Sequence, residues 1–562
     1  MRNRHTTRFF SALLSSALFV AQATAAHGVR QGVAPAQDNP RNTPAPVLFR
    51  DEFNAPAGAA NAGRRPHPVN NVAAVWTAGA GAGWTVRSNQ AEPPSGYADG
   101  AFQYADARTS DFTYAATMTG FDGGGNATKA MPGMMLRVED ANNYLLLQFD
   151  TFLHTATLYE CTGGVFTPLA SGAGPGPNFA LPVTVTADGP LVTVAVPGQV
   201  PFQATTRAHM NATRVGLRAG KSTGAPAGQP RFDDVAVLPL LAHDSSNPQL
   251  VVGAAGTWES GDVAAPGMSY DPQKARFVRL YSGYDVKLKR WCTGVAYAPT
   301  PRGRWTKEPT NPRMCPASGE GYIAASASKP VYKNGLWYVV YQGAPNASAG
   351  NPATPWRVYA ASSPDLLKWT RLNGGEPVLP LGSPGAFDAT GHHDPDLRLR
   401  DDGWFEVTFS GRSNSGVFTA GHALSLNMTT WAATRQYAVL GSFGAGDGIL
   451  NVAVRGTDPL NYSLYFCHQS GAVRWAARSD TSDGGLTWTY YPGVLFKKSG
   501  WESAQVFDLD SLVVGNTEYV SYSGATSPGG TEGMKSGIGL ATLTLPNADD
   551  GGEPKQRTRS RP

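Results

Sequence analysis

Five times between Trp258 and Pro546 the chain repeats one programme: a strand ends in an aromatic, one residue and Gly, and a second strand then runs to a turn carrying Trp. The first halves are Tyr281-Ser-Gly283, Tyr341-Gln-Gly343, Phe409-Ser-Gly411, a looser Ser470-Gly471, and Tyr522-Ser-Gly524, at intervals of 60, 68, 60 and 53 residues. The second halves end at Trp305, Trp369, Trp431 and Trp488, and the fifth closes over Gly539 to Pro546. Repeats of this length with several short strands each bury their apolar faces by packing radially, so the chain is predicted to form a five-bladed β-propeller over residues 241–546. Such a fold gathers one loop from every blade around a single central mouth.

A different texture precedes it. Residues 46–239 open with Val47-Leu-Phe-Arg-Asp-Glu-Phe53 and close with Arg231-Phe-Asp-Asp-Val-Ala-Val237. Between them lie short alternating segments such as Tyr144-Leu-Leu-Leu-Gln-Phe149, separated by turns such as Asp140-Ala-Asn-Asn143. That spacing predicts a β-sandwich, and the whole chain reads as all-β. Charged residues are only 16 %, against about a quarter in an ordinary soluble domain, while Gly (65) and Pro (43) supply many tight turns. This balance suits an exported protein.

The ends agree. Arg2, Arg4 and Arg8, the apolar run Phe9 to Val20 and Ala23-Thr-Ala25 make residues 1–25 an export signal, too short in its apolar part for a membrane anchor. A secreted or periplasmic protein is expected, with a linker over 26–45 and a polar, disordered tail over 547–562. Without the leader the formal charge of +4 drops to near +1, which leaves no basic stripe for nucleic acid. Of the four cysteines, Cys292 and Cys315 lie near each other in one repeat and are candidates for a disulfide. The spacing of the four suggests no metal site.

Reading each repeat backward from its glycine shows what a blade presents to the mouth. Asp394 lies 17 residues before Gly411, and Asp508 lies 16 before Gly524. Slightly upstream every repeat carries an acid: Glu259 and Asp262, Glu320, Asp388, Asp447 and Glu502. Carboxyls that share one cavity raise one another's proton affinity, so some are protonated and others ionised near neutrality. Glycoside hydrolysis needs that division of roles. Any single acid of the ring reads more readily as a solvated turn residue or a strand cap, but His392, His393, Pro395 and Asp396 around Asp394 reverse that reading for it.

The stretch His393-Asp-Pro-Asp-Leu-Arg-Leu-Arg-Asp-Asp-Gly403, running on to Ser410-Gly411, resembles an inner strand of five-bladed glycosidases of the family-43 type, as does the turn Ser363-Pro-Asp-Leu-Leu-Lys-Trp369. The opening and closing motifs of the first region resemble concanavalin-like jelly-roll modules, which either bind sugar or flank a catalytic domain. The propeller resemblance implies an aspartate base in the first blade, a tuning aspartate in the third and a glutamate acid. Asp394 matches the tuning residue. The first repeat has Ala265-Pro266 where Asp-Pro belongs, which moves the base to Asp262 just upstream or elsewhere in the chain; the fourth offers only Asp447, which leaves Glu502 in the fifth as the best candidate for the acid. His393, Asp508, Glu259, Glu320 and Asp447 are expected to line the substrate site, His393 either donating to a sugar hydroxyl or bracing Asp394. Trp258 and Trp501 serve either as walls under a sugar or as blade packing.

The expected function is a glycosidase that acts on a polysaccharide or oligosaccharide, furanosides such as arabinofuranosyl linkages first, by inversion and without a cofactor. A calcium ion in the propeller channel stays open. A non-catalytic sugar-binding protein and a phosphorolytic enzyme are the alternatives. A sialidase is a further one, invited by the aspartate-box turn Thr481-Ser-Asp-Gly-Gly-Leu-Thr-Trp488.

Overall fold

Alternation makes Asn143–Asp150 a strand buried on both sides: Leu145, Leu147 and Phe149 enter the main core of the first region, while Tyr144 and Leu146 join a smaller cluster on the opposite face. The computed structural model describes residues 47–544, apart from 67, 71–73, 82, 121–129, 152, 176–178, 197–198, 222–228, 317–327, 345–354, 438–446, 471–472, 496–499 and 528–534. The expected leader, linker and tail, and Glu320, lie outside these residues.

Asn143–Asp150 belongs to a seven-stranded antiparallel sheet with Ala130–Asp140 and Thr155–Thr162 as neighbours. A nine-stranded antiparallel sheet faces it, with Phe112–Gly120 between Phe179–Asp188 and Pro230–Pro239 at its centre. Trp76, Tyr114, Phe149 and Phe232 fill the space between the two sheets. This is the expected β-sandwich.

Five four-stranded antiparallel sheets follow among the described residues, one for each sequence repeat. Their inner strands are Asp262–Asp271, Val331–Lys333, Gly391–Leu399, Asp447–Arg455 and Gln505–Val514 in blades 1 to 5. The inner strand of blade 5 packs against that of blade 1, which closes the ring. Blade 5 takes its outermost strand, Ala242–His243, from the beginning of the propeller, where it pairs with Gly537–Thr544.

The repeat motif has a packing cause. A Cβ on Gly283 would come within 2.4 Å of Trp258, and one on Gly524 within 2.6 Å of Trp501. In blades 1, 3 and 5 the glycine is a bed for the aromatic that precedes the inner strand, with Phe387 playing that part over Gly411. In blade 4 the register moves: Ile449 pairs with His468, as His392 pairs with Gly411, so the position assigned from Ser470-Gly471 is held by His468. The Trp turns are equally regular. Ser363, Ser425 and Thr481 accept from the main-chain N–H of Leu366, Met428 and Gly485, and Trp369, Trp431 and Trp488 each donate an indole N–H to the carbonyl of those same residues at 3.1 Å. The aspartate-box turn is therefore a structural device repeated in three blades.

Cys292 and Cys315 form a disulfide. Sandwich and propeller lie in one compact unit. Val47, Ala236 and Leu238 of the sandwich share a core with Tyr491, Val494 and Leu495 of blade 4, and the Thr186 hydroxyl donates to the Gly493 carbonyl at 3.3 Å.

Candidate active site at the propeller mouth

The inner strands of blades 1, 3, 4 and 5 each break register at the same place, between Ala264 and Gly267, His393 and Asp396, Leu450 and Ala453, and Phe507 and Asp510. In each break one residue has a positive φ: Ala265 (51°), Asp394 (47°), Asn451 (55°) and Asp508 (49°). A bulge re-aims the side chain it carries, and non-glycine residues held at positive φ gather at functional sites. All four line a single cavity of about 10 Å³, room for roughly one water, and all four remain partly exposed.

This cavity holds two carboxyls. Asp508 Oδ2 accepts the Ala265 N–H and the Ser523 hydroxyl, each at 3.1 Å, and its Oδ1 accepts the Asn451 side-chain amide. Asp394 donates its own N–H to Gln342 Oε1 at 2.9 Å, while its carboxylate accepts the Asn451 main-chain N–H. Asn451 thus bridges the pair. Burial, and then the Asp394 charge, push the Asp508 carboxyl up to about 7. Burial also raises Asp394, opposed by Arg474 and by the hydrogen bonds it receives. One carboxyl is therefore held protonated towards neutrality beside another that ionises first, the separation that acid and base roles require. Behind Asp508 the buried Cys467 thiol is pushed far up by burial.

One step deeper, Asp396 and Asp510 face the axis from blades 3 and 5. Lys329 Nζ reaches both at 2.8 Å and the Val454 carbonyl at 3.2 Å. The second oxygen of Asp510 accepts the Met268 N–H of blade 1 at 2.7 Å, and Asp396 accepts Val454 N–H of blade 4 at 3.0 Å. An ammonium group already holds the carboxylate pair that a channel cation would use. Among the described residues no group of three or more His, Cys, Asp and Glu side chains is placed to hold a metal ion.

The other sequence-assigned acids stand elsewhere. Asp262 is fully buried at the start of its strand and accepts the Ser536 N–H at 3.0 Å; the position of blade 1 equivalent to Asp394 is Ala265. Glu502, 2 % exposed, accepts the Tyr522 hydroxyl at 2.7 Å and lies 3.1 Å from His243 Nε2. Glu259 is its counterpart, bonded to Tyr281 and to Lys307 Nζ at 2.6 Å. Asp388 is the third member: blade 3 has Phe409 in place of the tyrosine, and His392 Nε2 meets the carboxylate instead at 3.1 Å. These three acids brace the sheet they precede, and neither they nor Asp262 line the cavity that Asp394 and Asp508 share.

Trp258 and Trp501 are likewise committed, packed on Gly283 and Gly294 and on Gly524 and Gly539. His393 lies between Trp356 and Phe418, with ring centroids 5.3 and 5.0 Å away, and its Nε2 has no hydrogen-bond partner among the described residues. Burial and the Arg412 charge lower it to about 3, so it is a neutral group beside Asp394. Asp447 begins the inner strand of blade 4, opposite Ser470; its side chain, like Glu320, lies outside the described residues. Sequence reasoning missed Asn451, Gln342 and Arg474. The bulge register would have found Asn451 had the blade-4 frame been set on His468.

No family model and no curated protein matches this chain. Among solved structures, a protein named glycoside hydrolase is 13 % identical with a TM-score of 0.43, covering 54 % of this chain and 96 % of its own. A glycosyl hydrolase from Bacteroides ovatus is 14 % identical with a TM-score of 0.39, covering 54 % and 93 %. A carbohydrate-binding module from Bacillus subtilis is 20 % identical with a TM-score of 0.24, covering 29 % and 94 %.

Proposed function

We propose that the propeller mouth cleaves glycosidic bonds, with Asp508 as general acid and Asp394 as general base. The observation that carries this reading is the pair of carboxyls on equivalent bulges of blades 3 and 5, joined through Asn451 and separated in proton affinity. Asp508 donates its proton to the leaving oxygen as the bond to the anomeric carbon breaks. Ionised Asp394 takes a proton from the water that adds to that carbon. Asn451 and Gln342 fix the two carboxyls, and Arg474 favours ionisation of Asp394. Furanosides, arabinose-containing chains first, are the proposed substrates, and inversion the proposed outcome; both rest on the likeness of the His393–Gly411 stretch to five-bladed glycosidases. Export by the N-terminal leader belongs to the same proposal.

The test is release of reducing sugar from arabinan, arabinoxylan, mannan and a galacturonan by the purified protein and by Asp394→Asn and Asp508→Asn. Activity on one of them, cut about 10²–10⁴-fold in both variants, supports the pair; full activity in either variant sinks it. Arg474 beside the carboxyls favours a second reading, phosphorolysis, because a guanidinium suits an incoming phosphate. Dependence of product formation on inorganic phosphate, with a sugar phosphate as product, selects that reading.

A further inference from the structure

A second crevice lies away from the acids of the inner strands. It has a volume of about 650 Å³ and lies where the nine-stranded sheet of the sandwich meets the outer edge of blade 4. Glu52, Thr117 and Asp234 form one wall; Thr487, Trp488 and Tyr491 form the other. Its size is that of a ligand cleft, commonly ~300–1,000 Å³, and domain seams are a favoured place for one.

Its chemistry narrows the occupant. Tyr491 is 1 % exposed, and its hydroxyl has no hydrogen-bond partner among the described residues. Buried polar groups are almost always satisfied, so this hydroxyl asks for a donor or acceptor from outside the protein. Trp488 is half-buried, its indole N–H tied to Gly485 at 3.1 Å. Thr487 and Asp234 are exposed at the rim, and Asp234 accepts the Thr117 hydroxyl at 3.3 Å. Arg50, the guanidinium among the lining residues, has its charge paired with Glu52, and Asp480 is bound by Arg478 at 2.7 Å, so the described lining carries no unpaired positive charge for an anionic ligand. An indole, several hydroxyls and a rim carboxylate, with no spare positive charge, match the apolar faces and hydroxyl edges of an uncharged sugar chain.

We propose that this seam is a second binding site, for a neutral oligosaccharide, separate from the axial mouth and independent of its chemistry. A chain held there touches both domains and so stabilises their association.

Isothermal titration of the full-length Asp394→Asn protein, in which turnover is suppressed if the axial reading holds, tests it. The probes are arabinohexaose, xylohexaose, mannohexaose, cellohexaose and a hexagalacturonate. At least one neutral hexasaccharide is expected to bind, with about fivefold weaker affinity in Tyr491→Phe, the worth of one hydrogen bond. Thr117→Trp, which fills the crevice, is expected to abolish that binding. Tyr491→Phe keeps the shape of the side chain, so its readout survives even if Thr117→Trp unfolds. Binding unchanged in Tyr491→Phe, tighter binding of hexagalacturonate, or no binding by any neutral probe overturns the site. Failure of the axial reading shows separately, as unaltered sugar release by Asp394→Asn.

Discussion

Asp394, Asn451 and Asp508 occupy equivalent positions in three blades and do three different things because each meets a different neighbour. The bulge aims all of them at the axis; the Ala265 N–H, the Ser523 hydroxyl and the Asn451 amide then fix Asp508, while Gln342 fixes Asp394. Glu502 shows the contrast, since its carboxylate is spent on Tyr522 and His243. Glu502→Gln should lower the melting temperature yet leave turnover per folded molecule unchanged, whereas Asp508→Asn should keep the fold and lose about 10²–10⁴ in kcat. Thermal denaturation beside single-substrate kinetics separates the two. The pH profile carries a further expectation. In the proposed role Asp508 donates only while protonated, and its carboxyl is pushed up to about 7, so kcat/KM should fall as pH rises past about 7. On the acid side it should rise as Asp394 ionises. Asp508→Asn should remove the upper limb; an upper limb that persists in its residual activity would contradict the assignment.

At the scale of elements, the strand-ending glycines and the Trp turns are one building rule. A Cβ at Gly524 would come within 2.6 Å of Trp501 and 2.7 Å of Glu502 Cβ, closer than real Cβ contacts allow. Gly524→Ala should therefore cost about 1–3 kcal/mol, read as a shift in the denaturant midpoint. The sequence made this layer legible because aromatic, glycine and turn residues recur at fixed offsets, and a recurring offset is visible without coordinates. Blade 4 is where that legibility ended. His468 replaces the glycine there, and Ser470-Gly471 offered a decoy that hid Asn451. Acids were a weaker guide than bulges. Glu259, Asp388 and Glu502 share a frame because they brace equivalent sheets, and a shared frame alone does not tell a brace from a catalyst. What distinguishes them is whether a tyrosine or histidine stands within reach, which depends on strand pairing across residues 20 apart in the case of Tyr522 and Glu502.

At the scale of the whole molecule, the ring is held by bonds that cross from blade to blade. Lys329 ties blade 2 to Asp396 of blade 3 and Asp510 of blade 5, and Arg455 of blade 4 meets Glu518 of blade 5 at 3.0 Å. All these groups are buried or nearly so. Lys329→Met strands two carboxyls at the axis and should cost about 3–5 kcal/mol, measured by chemical denaturation; restoring neutrality with Asp396→Asn and Asp510→Asn in the same chain should recover part of it. The buried acids also set a pH trend. Asp508 keeps its proton in the folded state up to about 7, well above an unfolded aspartate near 3.9, so its contribution to stability declines as pH rises from about 4 to 7. Over that window Asp508→Asn should gain stability relative to the parent; a constant difference between the two would show that the carboxyl is not so perturbed. One feature of the ring bears on how the chain is made. Ala242 pairs with Thr542, so the strand that completes blade 5 leaves the ribosome about 300 residues before its partner. At roughly 5–20 residues per second it must wait on the order of a quarter to a full minute, its edge unpaired, while four blades assemble beside it. The sandwich is complete in sequence before that wait begins, so it is available as a folded neighbour from the start.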